Sequence, residues 1–121
     1  MTHFVFKRQE GIIEWGELRF HAVSGGFGPV LPAGKYTVKK RHVVVGPGLK
    51  SGFRNPLTGE AWFIPLQPQF HTNRNGLGIH PDGNKTGTLG CIGIRPEDSE
   101  GFWEKWMETP MPLRPDILIV K

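Results

Sequence analysis

Apolar and polar residues alternate in short runs along this chain, and most runs are bounded by glycine or proline. Phe4–Lys7 and Ile12–Trp15 flank Gly11 and predict a hairpin. Leu18–Val23 predicts a third strand that ends at Ser24-Gly25-Gly26. A loop follows from Gly25 to Gly34, closed by the turn signal Leu31-Pro32-Ala33-Gly34. Lys35–Val45 predicts the longest strand, with Tyr36, Val38 and Lys40 on one face and Thr37, Lys39 and Arg41 on the other. Gly46–Gly59 reads as loop. Glu60–Leu66 predicts a strand in which Pro65 marks an edge or an end. Leu77–His80 and Cys91–Ile94 predict two short strands. Arg95-Pro96-Glu97-Asp98 then opens the one convincing helix, since proline and two acids suit a first turn. Phe102, Trp103, Trp106 and Met107 fall at helical spacing, and Thr109-Pro110-Met111-Pro112 stops the run. Asp116–Lys121 predicts a last strand. The sum is a mainly β domain with one helix in its C-terminal half and a closed or sandwich-like sheet.

Composition narrows this picture. A length of 121 residues predicts a single domain, 1–121, with one modest core. The 17 glycines and 11 prolines are spread throughout, which favours turns and short strands over a helical bundle. The net charge of +4 is mild and its cations are scattered, so nucleic-acid binding is not expected. Attraction to an anionic polymer such as cell wall is compatible with that charge. Met1–Arg8 lacks the pattern of a signal peptide, and no stretch approaches a membrane span. Activity in the periplasm or cell wall therefore implies non-standard export or release by lysis.

The candidate chemistry lies in one run, Gly78 to Ile94. Cys91 is the single cysteine, so an internal disulfide is excluded. His80 lies eleven positions upstream across a polar, glycine-rich loop. A thiol on a tight turn, with a base on a neighbouring strand, is what a Cys–His nucleophile site requires. His80 is the candidate base, and Cys91 is expected to be alkylatable with a depressed pKa. Gly90 permits a sharp turn whose N–H groups point at a developing oxyanion. Thr88 is placed to hydrogen-bond within the loop or to touch substrate. The competing reading makes Cys91 a buried small hydrophobe and His80 a satisfied loop histidine.

Three overlapping patterns fail. Asp82-Gly83-Asn84-Lys85-Thr86-Gly87 starts like a calcium loop, but its twelfth position is Gly93 rather than Glu, and no helix precedes it. His80-Pro81-Asp82 matches the tripeptide of co-chaperone J-domains, which lies between helices rather than strands. His71, His80 and Cys91 include no close-spaced pair of ligands, so zinc is not favoured.

Ile79-His80, a polar loop, and Thr88-Leu89-Gly90-Cys91-Ile92 resemble the active-site signature of the L,D-transpeptidase (YkuD-like) catalytic domain. Leu31-Pro32-Ala33-Gly34-Lys35-Tyr36-Thr37-Val38 resembles the strand that opens with Pro-x-Gly-x-Tyr-x-Val in that family. Arg74-Asn75-Gly76-Leu77-Gly78-Ile79-His80 resembles the segment leading into its histidine. The resemblance covers the chain from about Phe20 onward, and its specific part is the short His…Cys run. It implies a β-sandwich or barrel in which Cys91 attacks a peptidoglycan stem peptide before a D-amino acid. His80 acts as base and then acid, and the Gly90 and Cys91 N–H groups form the oxyanion hole. An amine acceptor then gives a cross-link or exchange, and water gives carboxypeptidase action. It implies no cofactor and no metal.

Some positions depart from the family. Leu89 stands where many members have His, Gly93 where many have Arg, and Pro81 where Gly is common. Arg95 or Arg74 is expected to replace that Arg by holding a stem-peptide carboxylate bidentately. The candidate substrate-binding residues are thus Arg74, Thr88, Asp82 and Arg95. Either Asp82 or a backbone carbonyl is expected to orient His80, and Asn84 to shape the loop. His71 is expected at the surface and the tryptophans mainly in the core. The departures suggest a divergent phage-encoded or secreted-effector type, the latter with an immunity partner. Two alternatives stay open: a non-catalytic phage or wall-binding protein that keeps the fold, and a Cys–His amidase acting on another substrate.

Overall fold

A computed structural model describes residues 3–26, 29–46, 48–83, 88 and 90–121. Asn84 and Leu89, both singled out above, lie outside these described residues. Within them the chain forms nine strands and one α-helix. The strands are β1 (Phe4–Lys7), β2 (Ile12–Trp15), β3 (Leu18–Val23), β4 (Gly34–Val38), β5 (Val44–Val45), β6 (Trp62–Pro68), β7 (Gly78–Pro81), β8 (Ile92–Ile94) and β9 (Ile117–Val120). The helix α1 is Pro96–Glu108, and Ser51–Phe53 is a short 3₁₀ turn. The strands run in the order β4-β9-β1-β2-β3-β8-β7-β6-β5, and a further pairing of β4 with β6 closes the sheet into a barrel. Closure removes the open edges that a sheet of this length would otherwise present.

The period-2 pattern decides which side chains line the core. Phe4 and Phe6 of β1, Ile13 and Trp15 of β2, Tyr36 and Val38 of β4, and Leu118 and Val120 of β9 are all buried. Their intervening neighbours are at least partly exposed. The helix lays Phe102 and Trp106 into the same core. Phe102 stacks on Trp62 with ring centroids 5.5 Å apart and on Phe4 at 5.6 Å. Each such ring contributes about 1.5–3 kcal/mol by leaving water. Met107, expected on the apolar face of α1, is instead 58% exposed. At the start of α1 the Asp98 carboxylate accepts the His21 backbone N–H at 2.6 Å and ties the helix to β3. At its end Arg114 Nε donates to the carbonyls of Trp106 and Thr109, both at 2.9 Å, where a cation also suits the helix dipole.

The long strand expected over Lys35–Val45 is broken, and Pro65 explains why. β4 pairs with β6 in the register Tyr36↔Pro68, Thr37↔Gln67, Val38↔Leu66. The next pair would be Lys39 with Pro65. Lys39 N–H does donate to the Pro65 carbonyl at 2.9 Å, but Pro65 has no N–H to return. Pairing stops there, the chain turns at Lys40 and Arg41, and only Val44–Val45 rejoins β6. Pro65 itself sits inside β6 rather than at a strand end, because its missing N–H faces the gap left by that turn.

Candidate active site

β7 and β8 lie side by side and parallel, in the register Ile79↔Ile92, His80↔Gly93 and Pro81↔Ile94. Every residue of both strands is buried, so neither face is given to solvent. Ile79, Ile92 and Ile94 face the core. Alternation then puts His80 and Gly93 on the opposite face, with Cys91 and Arg95 aligned along β8 and Gly78 and Asp82 along β7. Cys91 and His80 are diagonal neighbours on that face, a separation that side chains can bridge.

His80 is 2% exposed. Its Nδ1 lies 2.7 Å from the Pro81 carbonyl oxygen. A carbonyl only accepts, so Nδ1 carries the proton and Nε2 keeps its lone pair. Two aromatic rings cover the imidazole: Phe53 at 4.3 Å and Phe63 at 6.1 Å between centroids. Phe63 reaches this position because Gly78 has no side chain; a Cβ there would collide with its ring. Burial lowers the His80 pKa to about 4 against a partial opposing effect of the Pro81 bond, so the ring is neutral at physiological pH.

Cys91 follows a turn that only glycine makes easily, since Gly90 has φ +112°. Thr88 holds this turn from within. Its hydroxyl donates to the Cys91 carbonyl at 2.7 Å and accepts the N–H of Gly25 at 3.2 Å and of Gly90 at 3.3 Å. The Gly90 N–H expected to serve an oxyanion is therefore directed at Thr88. The thiol is 8% exposed and donates to the Gly76 carbonyl at 3.6 Å, not to the imidazole. Burial raises its pKa, opposed by a backbone hydrogen bond from Gly78 and by the Arg74 cation. The depressed pKa expected from sequence is thus corrected: the resting site pairs a thiol with a neutral imidazole.

The other candidate residues separate into two groups. Asp82 is fully buried and forms an ion pair with Arg95 at 2.6 Å at the ends of β7 and β8. That ion pair, together with Asp82 N–H donating to Ile94 at 2.8 Å, continues the ladder, and the group that His80 Nδ1 meets is the Pro81 backbone carbonyl. Arg74 instead reaches across the site from the loop before β7. Its Nη1 donates to Val30 at 3.2 Å, and its Nη2 lies against Gly90, where a Cβ would strike it. His71 is exposed, and Trp15, Trp62 and Trp106 are buried in the core. Sequence reasoning passed over Phe53, Phe63 and Gly76, whose roles arise only when distant segments meet; Gly78, two positions before His80, was the one local signal.

The turn cysteine and the strand histidine, the latter with its Nδ1–H on Pro81 and Nε2 unprotonated, thus share one face of the β7–β8 ladder in this barrel. Its fold is that of L,D-transpeptidase domains. The chain is similar in structure to Bd1075 of Bdellovibrio bacteriovorus, with a TM-score of 0.65 at 12% identity over 99% of this chain and 47% of that one. It is similar to the catalytic domain of the E. faecium L,D-transpeptidase acylated by ertapenem, with a TM-score of 0.53 at 17% identity over 99% and 96% of the two chains. Mycobacterium tuberculosis L,D-transpeptidase 1 gives 0.52 at 14% identity, over 99% and 60%. The chain spans about half the length of the Bdellovibrio protein. No protein-family model and no curated protein sequence matches it.

Proposed function

We propose that this chain is a cysteine-dependent L,D-transpeptidase or L,D-carboxypeptidase acting on peptidoglycan stem peptides. The observation that carries the reading is the placement of Cys91 diagonally beside a His80 whose Nδ1–H is fixed on Pro81, leaving Nε2 to act as the base, in a barrel fold like that of L,D-transpeptidase domains. As substrate enters, the thiol leaves the Gly76 carbonyl and passes its proton to Nε2. Sulfur then bonds to the acyl carbon before a D-residue. The imidazolium returns the proton to the departing amine, and a thioester remains. An amine acceptor converts it to a cross-link or exchange product, and water releases the acid. A neutral base with a pKa near 4 is weak in the resting state. Burial disfavours both charged forms, so the thiolate–imidazolium pair is a transient held by its own attraction as substrate reacts rather than a preformed resting state.

The resting hydrogen bond from the thiol to Gly76 favours a second reading, a wall-binding module that keeps the fold without turnover. In either case the site of action would be the periplasm or cell wall, and a secreted effector would be matched by an immunity protein. Mass spectrometry of tetrapeptide muropeptides incubated with wild type and Cys91→Ala separates the readings. Loss of D-Ala, D-amino-acid exchange or a new cross-link with wild type alone supports the enzyme. Unchanged muropeptides alongside wall binding by both proteins support the module.

A further inference from the structure

One polar group at this site has no role in the chemistry above. The Arg74 Nη2 is buried and has no hydrogen-bond partner among the described residues, although the same guanidinium is fastened through Nη1 to the Val30 carbonyl. A buried, unsatisfied cationic donor is costly, and an unpaired one calls for a ligand. The loop that carries it is fixed in place. Arg74 N–H donates to the Thr72 hydroxyl at 3.1 Å, and the Gly76 carbonyl two residues on accepts the thiol. Nη2 lies on Gly90, the residue directly before the nucleophile, in space that exists because Gly90 has no Cβ. The Gly90 N–H, which would ordinarily face a developing oxyanion from such a turn, is turned onto Thr88.

We infer that Arg74 is a catalytic residue, its Nη2 donating to the oxyanion in place of the Gly90 N–H. The inference rests on Cys91 being the nucleophile but not on the identity of the wall substrate. As sulfur bonds to the acyl carbon, the carbonyl π pair moves onto oxygen and His80 Nε2 holds the thiol proton. Arg74 Nη2 donates to that oxygen from a side chain already anchored at Val30. When the pair returns, the bond to the leaving group breaks. An arginine here replaces a peptide dipole with a full charge, so it stabilises the oxyanion and also favours the thiolate. It is better placed for this than for the bidentate grip on a carboxylate expected from sequence, since Nη1 is already engaged.

The test compares two neutral probes on the full chain, wild type, Arg74→Gln and Arg74→Lys. Iodoacetamide consumes the thiolate without an oxyanion, whereas p-nitrophenyl acetate passes through one and carries no carboxylate. Rates at Cys91 are read by intact-mass spectrometry across pH, so that the ratio of acetylation to alkylation is taken at equal thiolate fraction. The ratio is expected to fall about 100-fold in Arg74→Gln and about 10-fold in Arg74→Lys, the range for loss of one oxyanion donor. Should Arg74→Gln not fold by circular dichroism, Arg74→Lys carries the test. An unchanged ratio overturns the inference: a carboxylate clamp, or a group acting only through the thiol pKa or the loop, leaves that ratio where it was. Wild type that is alkylated but never acetylated at Cys91 removes acyl transfer and this role together. A drop in the ratio in a protein inert toward muropeptides leaves the inference standing and moves the substrate.

Discussion

His80 should make the fold acid-sensitive in a defined window. Buried between Phe53 and Phe63, its ring titrates near pH 4 in the folded protein against 6.5 when free. The folded pKa is the lower one, so the unfolded chain takes up the proton first. The stability that the neutral ring contributes is present in full above pH 6.5 and is lost as pH falls toward 4. At 1.36 kcal/mol per unit, the gap amounts to about 3 kcal/mol, a large part of the stability of a domain this size. The perturbation is His80→Asn, which removes the titration and keeps an amide N–H to donate toward Pro81. Urea unfolding of both proteins from pH 7.5 to 4 isolates the effect, because every carboxylate is common to the two. Between pH 7.5 and 4 the wild type should lose about 3 kcal/mol more stability than the variant, whatever the offset between them at pH 7.5. Parallel curves would mean that His80 is solvated or shifts little. The reasoning that makes it a neutral base at Nε2 would then fail.

Two further outcomes follow from the hydrogen bonds around the thiol. Thr88→Val keeps the shape but strands the Gly25 and Gly90 N–H groups and the Cys91 carbonyl. It should cost about 2–4 kcal/mol in denaturant unfolding, with Thr88→Ser close to wild type. Arg95→Met leaves the fully buried Asp82 carboxylate without its 2.6 Å partner and should cost about 3 kcal/mol, most of it recovered in the double variant with Asp82→Asn.

The parts of this fold that were legible in the sequence are those set by neighbours in the chain. The β1–β2 hairpin follows from alternation around Gly11, and α1 from a proline and acids ahead of Phe102 and Trp106. The Cys–His run was legible for the same reason: β7, the turn and β8 are contiguous, and the parallel register makes diagonal neighbours of residues eleven apart in sequence. Pro65 was misread because a proline was weighed against its own strand. Its effect falls on β4, a partner some 26 positions away, by withholding the bond that Lys39 would have accepted. No local pattern announces which strand will lie opposite a proline.

The same distinction separates Cys91 and His80 from their surroundings. What Cys91 and His80 are follows from their identity and spacing, whereas what they can do depends on segments brought in from elsewhere. Phe53 and Phe63 set the imidazole pKa, Gly76 holds the resting thiol, and Arg74 lies on Gly90. All four come from loops or strands that the motif does not contain. Three glycines decide whether these groups fit: Gly78 under Phe63, Gly83 against Gly52, and Gly90 under Arg74. A glycine-rich motif read from sequence suggests flexibility. Here the missing side chains instead create the space in which an aromatic lid and a cation approach the backbone, and that close approach makes the histidine neutral and brings a charge to the turn. The resting chemistry is therefore a property of packing, and substitutions at these glycines should alter the His80 titration and thiol reactivity before they alter the barrel.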